Sequence, residues 1–403
     1  MSLRNWGLAA AAIGMSVAGA SPASAQAAAA VEHSGNTFHV AVCPRGNPHG
    51  TARCFAHVVT DARGNPINGK INPNATPSGY GPGDLKSAYN ITTNGSATIA
   101  IVDADGYSNA ESDLAVYRSQ FGLPACTTAN GCFRKVDQNG GTAYPRDDTG
   151  WSQESALDLD MASAMCPGCK IILVEANSAT LANLATAVRT AAGLGATVIS
   201  NSYGGSESGT TSYESAYNQP GKAVTVSTGD SGYGVQFPAS SPHVIAVGGT
   251  HLVRASNTRG WSETAWSSGG SGCSTVYAQP SFQTTAVTPS MPQLCTKRME
   301  ADVAAVGDPN TGVAVYGPVN RRSSGWMVFG GTSVSAPLIG GIYGVTGHGP
   351  GSASGIYAKA GTSALNDVAS GTNGSCGGTY FCTSQAGYDG PTGMGTPNGT
   401  SAF

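Results

Sequence analysis

The chain has 403 residues, of which 40% are apolar and only 11% are Asp, Glu, Lys or Arg. This is enough apolar material for a sizeable buried core, in one large α/β domain or two smaller ones. The formal net charge of −3 leaves no basic surface that could neutralise a phosphate backbone, which argues against nucleic acid as a partner.

The first 25 residues have the pattern of an export signal. Residues 1–4 form a short positive region, residues 6–19 are apolar, and residues 23–25 form a small-residue cleavage site. The apolar run is too short for a membrane anchor, and no later run approaches the ~20 apolar residues that a span needs. We therefore predict a secreted protein, extracellular or periplasmic, that makes no contact with a membrane.

Residues 26–78 are rich in Gly, Pro, Asn and Ala and have too little periodic apolar content for a sizeable core. They are predicted to form a short extension with one cysteine loop, ahead of a domain at 79–403. In that domain, strands are predicted at 97–104, 170–176, 197–202, 222–227 and 244–247, and helices at 112–123, 151–160 and 181–192. The alternation predicts an α/β fold, a doubly wound and mainly parallel sheet with helices on both faces and its sites at the carboxyl ends of the strands.

The ten cysteines fall into five pairs that are close in sequence. The pairs are Cys43 and Cys54, Cys126 and Cys132, Cys166 and Cys169, Cys273 and Cys295, and Cys376 and Cys382. An even count in an exported chain predicts five local disulfides, although spacing alone does not fix their connectivity. The Cys166 to Cys169 motif could also be a zinc or redox site, but no second matching pair accompanies it, which favours a structural disulfide.

Ser333 opens a predicted helix directly after a Gly-rich turn, in the segment 331–337. At that position a serine has its hydroxyl exposed and its own N–H unbonded within the helix, which suits a nucleophile whose oxyanion needs a donor. Pro337 lies in the first turn, where its missing N–H costs least. The alternative interpretation, a helix cap in front of a core helix, fits these residues at least as well, so the neighbouring segments must decide.

A serine nucleophile needs a base, and histidine is the usual one. The seven histidines are poorly placed for this role. His49 lies within the cysteine loop and before the strand of Asp103, whereas the subtilisin order is Asp, His, Ser. His243 and His251 flank a predicted strand and are interpreted as structural.

Carboxylates are better candidates for the base. Glu154 and Asp158 are four residues apart on a predicted helix, so they share one face and lie within reach of each other. Two like charges so close should raise one pKa, and a shared proton suits a base that works in acid. A solvated helix face is the commoner outcome of this spacing. Asp160 lies about 200° around the helix from Asp158 and does not share that face.

Asp230 follows the predicted strand 222–227. At a strand end, a protonated carboxylic acid could donate a hydrogen bond to an oxyanion, and the alternative is an Asx turn that caps the strand. The segment 229–232 is also similar to the nucleophile segment of trypsin-like peptidases, but that family is all-β and the alternation of strands and helices excludes it.

Taken together, these segments resemble the sedolisin family of serine-carboxyl peptidases, which has a subtilisin-like fold and uses glutamate in place of histidine. The similarity covers about 320 residues in the family's order. It rests on the segments 80–85, 88–89, 99–104, 110–114, 154–158, 166–167, 201–204, 229–232, 237–242, 247–250, 302–304, 308–312 and 331–337.

The resemblance implies that Ser333 is the nucleophile, Glu154 its general base, Asp158 the residue that orients this glutamate, and Asp230 part of the oxyanion hole. Glutamate, with an ordinary pKa of about 4.3, suits a base that works in acid, where histidine is mostly protonated. Asp230 would be useful only with its proton, so activity should vanish toward neutral pH. The segment 202–204 is similar to the strand edge that pairs with the substrate backbone.

The family also has one structural Ca²⁺ site near its C-terminus. The resemblance implies that Asp367, Val368, Gln385, Gly387 and Asp389 form it, through two carboxylates and backbone carbonyls. Many members have glycine where this chain has Gln385. That change should preserve the site, since the ligand there is a carbonyl.

Many members carry a long folded prodomain, for which residues 26–78 are too short. We therefore expect a secreted peptidase of the bacterial type without that prodomain, a monomer that acts on proteins or peptides. Two alternatives stay open: a secreted binding protein on an inactivated peptidase fold, and a subtilisin-like peptidase with a histidine base.

Overall fold

The computed structural model describes residues 1–2, 30–43, 48–67, 72–286 and 294–403. The predicted export signal therefore lies almost entirely outside the described residues. Within them, no helix combines the length and the apolar character that crossing a membrane requires.

The described residues form short strands near the N-terminus and alternating strands and helices after them. The strands are β1 Val31–Ser34, β2 Thr37–Ala41, β3 Arg53–Cys54, β4 His57–Thr60, β5 Thr98–Ala104, β6 Phe133–Asp137, β7 Lys170–Ala176, β8 Val198–Asn201, β9 Tyr203–Gly204, β10 Ala223–Ser227, β11 Ile245–Arg254, β12 Trp261–Ala265, β13 Gly272–Ala278, β14 Lys297–Glu300, β15 Val303–Val306, β16 Val313–Asn320, β17 Ser323–Gly330, β18 Leu365–Asn366 and β19 Thr396–Pro397. The helices are α1 Pro82–Ala88, α2 Ala110–Gln120, α3 Thr149–Met165, α4 Leu181–Gly193, α5 Ser281–Ala286, α6 Thr332–Thr346 and α7 Ser354–Tyr357.

The central sheet has eight strands, in the order β12-β11-β10-β8-β5-β7-β6, and β15 also pairs with β11. Every pairing in it is parallel except that of β12 with β11. The predicted doubly wound, mainly parallel α/β sheet is therefore confirmed. The predicted strand at 170–176 matches β7 residue for residue, and α3 extends beyond its predicted range at both ends.

Both faces of this sheet are buried, because successive side chains of a strand point to opposite faces. In β5, Ile99 and Ile101 pack into one apolar cluster, together with residues of α1, α2, α3 and α6. Ala100 and Val102 pack into a second cluster on the other face, together with residues of α4. This arrangement explains why the strands appear in the sequence as continuous apolar runs.

A second sheet joins the N-terminal segment to the C-terminal half of the chain. Its order is β1-β2-β4-β17-β16, and its pairings are antiparallel. His57 of β4 lies opposite Gly330, the last residue of β17. Residues 57–60 are thus held beside the strand that leads directly into the Ser333 helix.

All five predicted disulfides form between the cysteines that are nearest in sequence, and no cysteine is free. The prediction of five local disulfides is confirmed, and the structure supplies the connectivity that the spacing left open. The motif from Cys166 to Cys169 is a disulfide at the end of α3, so its interpretation as a zinc ligand set is excluded.

We expect Arg298→Met to destabilise the fold by about 3–5 kcal/mol, because it would leave the buried carboxylate of Asp302 without its positively charged partner. Both side chains are fully buried and form a two-pronged ion pair, with Nη1 donating to Oδ1 at 2.7 Å and Nη2 donating to Oδ2 at 2.5 Å. Urea unfolding measures the loss. The control is Arg254→Met, which breaks an exposed ion pair with Asp84 and should cost about 1 kcal/mol or less. Equal losses in the two variants would contradict this prediction.

Candidate active site

Ser333 is the second residue of α6, which begins directly after the turn that ends β17. The turn depends on Gly331, whose φ of +105° disfavours other residues. The Ser333 side chain is fully buried. Its Oγ donates to the carbonyl oxygen of Ser202 at 3.3 Å and accepts from the amide of Phe55 at 3.2 Å. The predicted helix start is correct, and the hydroxyl points to the carboxyl end of β8.

Glu154 and Asp158 lie on the face of α3 that is directed toward Ser333. Ser202 Oγ donates to Asp158 Oδ1 at 2.8 Å, and Glu154 Oε2 accepts from the amide of Ala56 at 2.8 Å. Both carboxyl groups are fully buried. The solvated helix face, which was the commoner outcome of this spacing, is therefore wrong for this chain.

Burial raises the pKa of Glu154 and of Asp158 well above the usual range of a carboxylic acid. The nearby charge of Asp103 raises both pKa values further, while the hydrogen bond with Ser333 lowers that of Glu154. The two carboxyl groups also interact directly. A proton is therefore retained on this pair well above the pH at which exposed carboxylic acids lose theirs.

Asp103, at the end of β5, is a third buried carboxyl group beside this pair. Its Oδ2 accepts from Ser155 Oγ at 2.8 Å. Burial and the charge of Glu175 raise the pKa of Asp103 to about 7, against the opposing effect of the Ser155 hydrogen bond. The sequence pattern identified Asp103 only as a strand residue, because its packing against α3 is a tertiary contact.

Asp230 lies just beyond the end of β10 and is also buried. Its Oδ1 accepts from the amide of Thr332 at 2.9 Å and from Thr332 Oγ1 at 2.7 Å. A Cβ built on Gly331 would lie 2.8 Å from Asp230 Oδ2. Asp230 thus fixes the start of α6, and its second oxygen faces the turn in front of Ser333.

The structure brings Ser333, Glu154, Asp158 and Asp230 into one buried cluster. Their chemical roles remain predictions, but the arrangement provides a hydroxyl, two interacting carboxyl groups and a further carboxyl group at strand ends. Three histidines that we considered lie elsewhere: the ring of His49 approaches Gly209, His243 pairs with Glu214, and His251 pairs with Asp308.

Sequence reasoning missed the residues that cover this cluster. Arg53 and Cys54 of β3 pair antiparallel with Gly204 and Tyr203 of β9. The next residues, Phe55 and Ala56, make the amide contacts with Ser333 and Glu154, and then His57 Nε2 lies 3.3 Å from Asp230 Oδ2. The apolar pair after His57 in β4 was a weak strand signal, but nothing local indicated where that strand would pair.

The residues of the predicted calcium site come together near the C-terminus. Asp367 Oδ2 accepts from the amide of Gly387 at 3.1 Å, and Asp389 Oδ2 accepts from the amide of Gln385 at 3.0 Å. Burial raises the pKa of Asp389 to about 7, and the charge of Asp367 adds to this effect. A bound cation would offset both effects, so the two carboxylates fit a hard cation.

Comparison with known proteins agrees with the α/β fold. Residues 138–372 match the model of the subtilase family. Kumamolisin of Bacillus sp. (strain MN-32) is 32% identical over 327 residues, which cover 73% of this chain and 55% of that protein. Sedolisin of Pseudomonas sp. (strain 101) is 27% identical over 368 residues, which cover 80% of this chain and 60% of that protein.

A solved structure is also similar to this chain. Pseudomonas sedolisin, a serine-carboxyl proteinase complexed with two molecules of pseudo-iodotyrostatin, aligns with a TM-score of 0.67 and 25% sequence identity, covering 80% of this chain and 96% of the solved chain. The chain belongs to the subtilase family, and its relatives place it in the sedolisin group of that family. It spans a little more than half the length of the two curated relatives.

Proposed function

We propose that the chain is a secreted serine-carboxyl peptidase that hydrolyses peptide bonds of proteins or peptides in acid. One observation carries this proposal: Ser333 Oγ and Glu154 Oε2 accept hydrogen bonds from two successive amides of one backbone stretch, and Asp230 Oδ2 lies beside the turn that the carbonyl between those amides faces. The sedolisin relatives support the same activity.

In the proposed reaction, Ser333 Oγ attacks a substrate carbonyl carbon while Glu154 accepts the hydroxyl proton. Glu154 then donates that proton to the leaving amine, and an acyl-enzyme remains on Ser333. A water molecule hydrolyses the ester through the same base. Asp158 holds Glu154 in place and shares its proton, because two adjacent buried carboxyl groups do not both ionise readily.

Asp230 is proposed to stabilise the oxyanion by donating a hydrogen bond from Oδ2. Its Oδ1 is already occupied by the amide and the hydroxyl of Thr332, so a proton on Oδ2 would be directed toward the turn at Gly331. Donation requires a protonated carboxyl group.

The test is hydrolysis of a denatured protein from about pH 2 to pH 8. Wild type should be active only in acid, Ser333→Ala should be inactive, and His49→Ala should match wild type. Absence of hydrolysis at every pH would instead favour a binding protein on this fold. Loss of activity in His49→Ala with retention in Glu154→Ala would favour a histidine base.

We also propose one structural Ca²⁺ ion, held by the carboxylates of Asp367 and Asp389 and by the carbonyls of Val368, Gln385 and Gly387. The ion would join the two C-terminal segments and neutralise their carboxylates. We expect millimolar Ca²⁺ to raise the melting temperature by several degrees in wild type and to have little effect in Asp389→Asn. Equal shifts in the two proteins would contradict this site.

Secretion is proposed from the five disulfides, which persist in oxidising compartments. The predicted export signal agrees with this location.

A further inference from the structure

Three side chains that can bind a metal ion lie on one face of the five-stranded sheet. Glu32 of β1 is the direct cross-strand partner of His39 in β2. His39 lies opposite Val59 of β4, and His57 is two residues before Val59 in the same strand. Direct partners share a face, and so do residues two apart in a strand. The pairing register therefore places Glu32, His39 and His57 on the same face of the sheet.

The three side chains also converge in space. Their ligand atoms, one from each residue, all lie within 4.8 Å of one another. The two histidine rings pack edge to face, and their Nδ1 atoms are 2.9 Å apart. Both histidines are buried, and Glu32 is half-buried on the edge strand of the sheet. Two ligands of one tetrahedral Zn²⁺ ion are about 3.3–3.6 Å apart, so small movements of these side chains would complete a coordination shell.

The outer nitrogen of His57 has the partner that a metal-bound histidine needs. A metal on Nδ1 leaves the ring proton on Nε2. His57 Nε2 lies 3.3 Å from Asp230 Oδ2, and both side chains are almost completely buried. The second nitrogen of a metal-bound histidine commonly donates to a carboxylate, a carbonyl or water, and this hydrogen bond fixes the tautomer and the ring orientation. Asp230 is therefore placed to hold His57 in the tautomer that presents Nδ1 to an ion.

The ligand types decide which metal fits. Ca²⁺ and Mg²⁺ prefer oxygen ligands alone, whereas two imidazoles and one carboxylate are a ligand set of Zn²⁺, with a water molecule at the fourth position. His243 and His251 each pair with a carboxylate, but among the residues that the structure describes neither belongs to a group of three such ligands. The cluster of Glu32, His39 and His57 is therefore the candidate that the observations favour.

We propose that Glu32, His39 and His57 form a site for one Zn²⁺ ion, in which Asp230 orients His57 from the side away from the metal. The ion would replace the proton that the two facing Nδ1 atoms share without a metal. It would also tie the hairpin of β1 and β2 to β4, and so stabilise this part of the sheet. The site does not depend on the proposed peptidase activity, because neither Ser333 nor Glu154 takes part in it.

The test is calorimetric titration of zinc chloride into the Ser333→Ala protein at about pH 7, where imidazole is largely neutral. Millimolar calcium chloride is present throughout, so that the proposed calcium site is filled. One zinc ion per chain should bind. His39→Gln and Glu32→Gln should each weaken binding about tenfold or more, since even the loss of an outer partner of a ligand has an effect of that size.

Two variants are matched controls for this titration. His33→Gln changes an exposed histidine on the opposite face of β1, and Asp389→Asn removes a carboxylate of the proposed calcium site. Both should bind zinc as the parent does. Loss of zinc binding in Asp389→Asn or His33→Gln, with full binding in His39→Gln, would place the ion elsewhere and overturn this inference.

Amide hydrogen exchange locates the ion and decides the matter if His39→Gln does not fold. Zinc should slow exchange in residues 31–41 of the parent protein, because the ion would join β1 and β2 to β4. The same zinc concentration should leave exchange unchanged in Glu32→Gln, whose side chain lies on the edge strand and outside the core. Absence of saturable binding in the parent, or equal slowing in the parent and in Glu32→Gln, would overturn the site.

Discussion

Glu154→Gln is expected to lower kcat/KM for an added peptide by about 10³-fold or more across the acid range. Glutamine has the same size and can still accept the Ala56 amide, but it cannot take a proton from Ser333. The fully buried position of Glu154, its raised pKa and its contact with Ser333 all indicate that the protonation state of this side chain is what matters. The measurement is steady-state hydrolysis between about pH 2 and pH 8, on protein whose fold is checked by circular dichroism.

The matched control for this prediction is Asp160→Asn. Asp160 is a fully buried carboxyl group on the same helix, but its Oδ2 accepts from the amide of Tyr316, away from Ser333. Its replacement should change stability and leave the pH dependence of hydrolysis unaltered. If Glu154→Gln retains more than about a tenth of wild-type kcat/KM, or Asp160→Asn loses as much as Glu154→Gln, Glu154 is not the base.

Much of the fold was predictable because parallel strands buried on both faces leave a local signal. The runs that became β5 and β7 are mostly apolar, and residues 112–123 between them have helical spacing. The hairpin of β16 and β17 was not predicted. It lies in the Gly- and Ser-rich region, and the end of its second strand also pairs with His57 and Val58, far away in the sequence.

The difference between local and long-range determinants also decides how much of the site could be predicted. Glu154 and Asp158 share a face through local helix geometry, so their proximity could be predicted from spacing. The covering of Ser333 by residues 51–57 could not be predicted, because the pairing of β3 with β9 joins segments about 150 residues apart and depends on no local propensity. The extension has too little periodic apolar content to predict a core, yet residues 51–57 are held by backbone hydrogen bonds and one disulfide.

The fold is expected to be most stable near about pH 4 and to lose stability steadily toward neutral pH. Asp103, Asp160 and Glu300 are fully buried carboxyl groups whose pKa values are raised mainly by burial, and the buried pair of Glu154 and Asp158 retains one further proton. A carboxyl group with a raised pKa in the folded state binds a proton more tightly when folded. Its contribution to stability is complete below the unfolded pKa of about 4 and is lost as the pH rises through the folded value.

The slope of this loss is about 1.4 kcal/mol per pH unit for each group that is protonated only in the folded state. Asp61 acts in the opposite direction, because hydrogen bonds from Asn65 lower its pKa and its contribution is lost as the pH falls. Because these two effects on stability have opposite signs, the free energy of unfolding is greatest near the ordinary pKa of a carboxylic acid. The measurement is the melting temperature of the Ser333→Ala protein from about pH 3 to pH 8, in which self-digestion is prevented.

Asp103→Asn in the same background tests the assignment, since the pKa of Asp103 is raised to about 7. The variant should show a shallower fall of the melting temperature between about pH 4 and pH 7, because one proton fewer is released on unfolding. Asp61→Asn is the control and should retain the parent slope over that range. A melting temperature that rises from pH 4 to pH 7, or an unchanged slope in Asp103→Asn, would mean that these carboxyl groups are ionised in the folded protein.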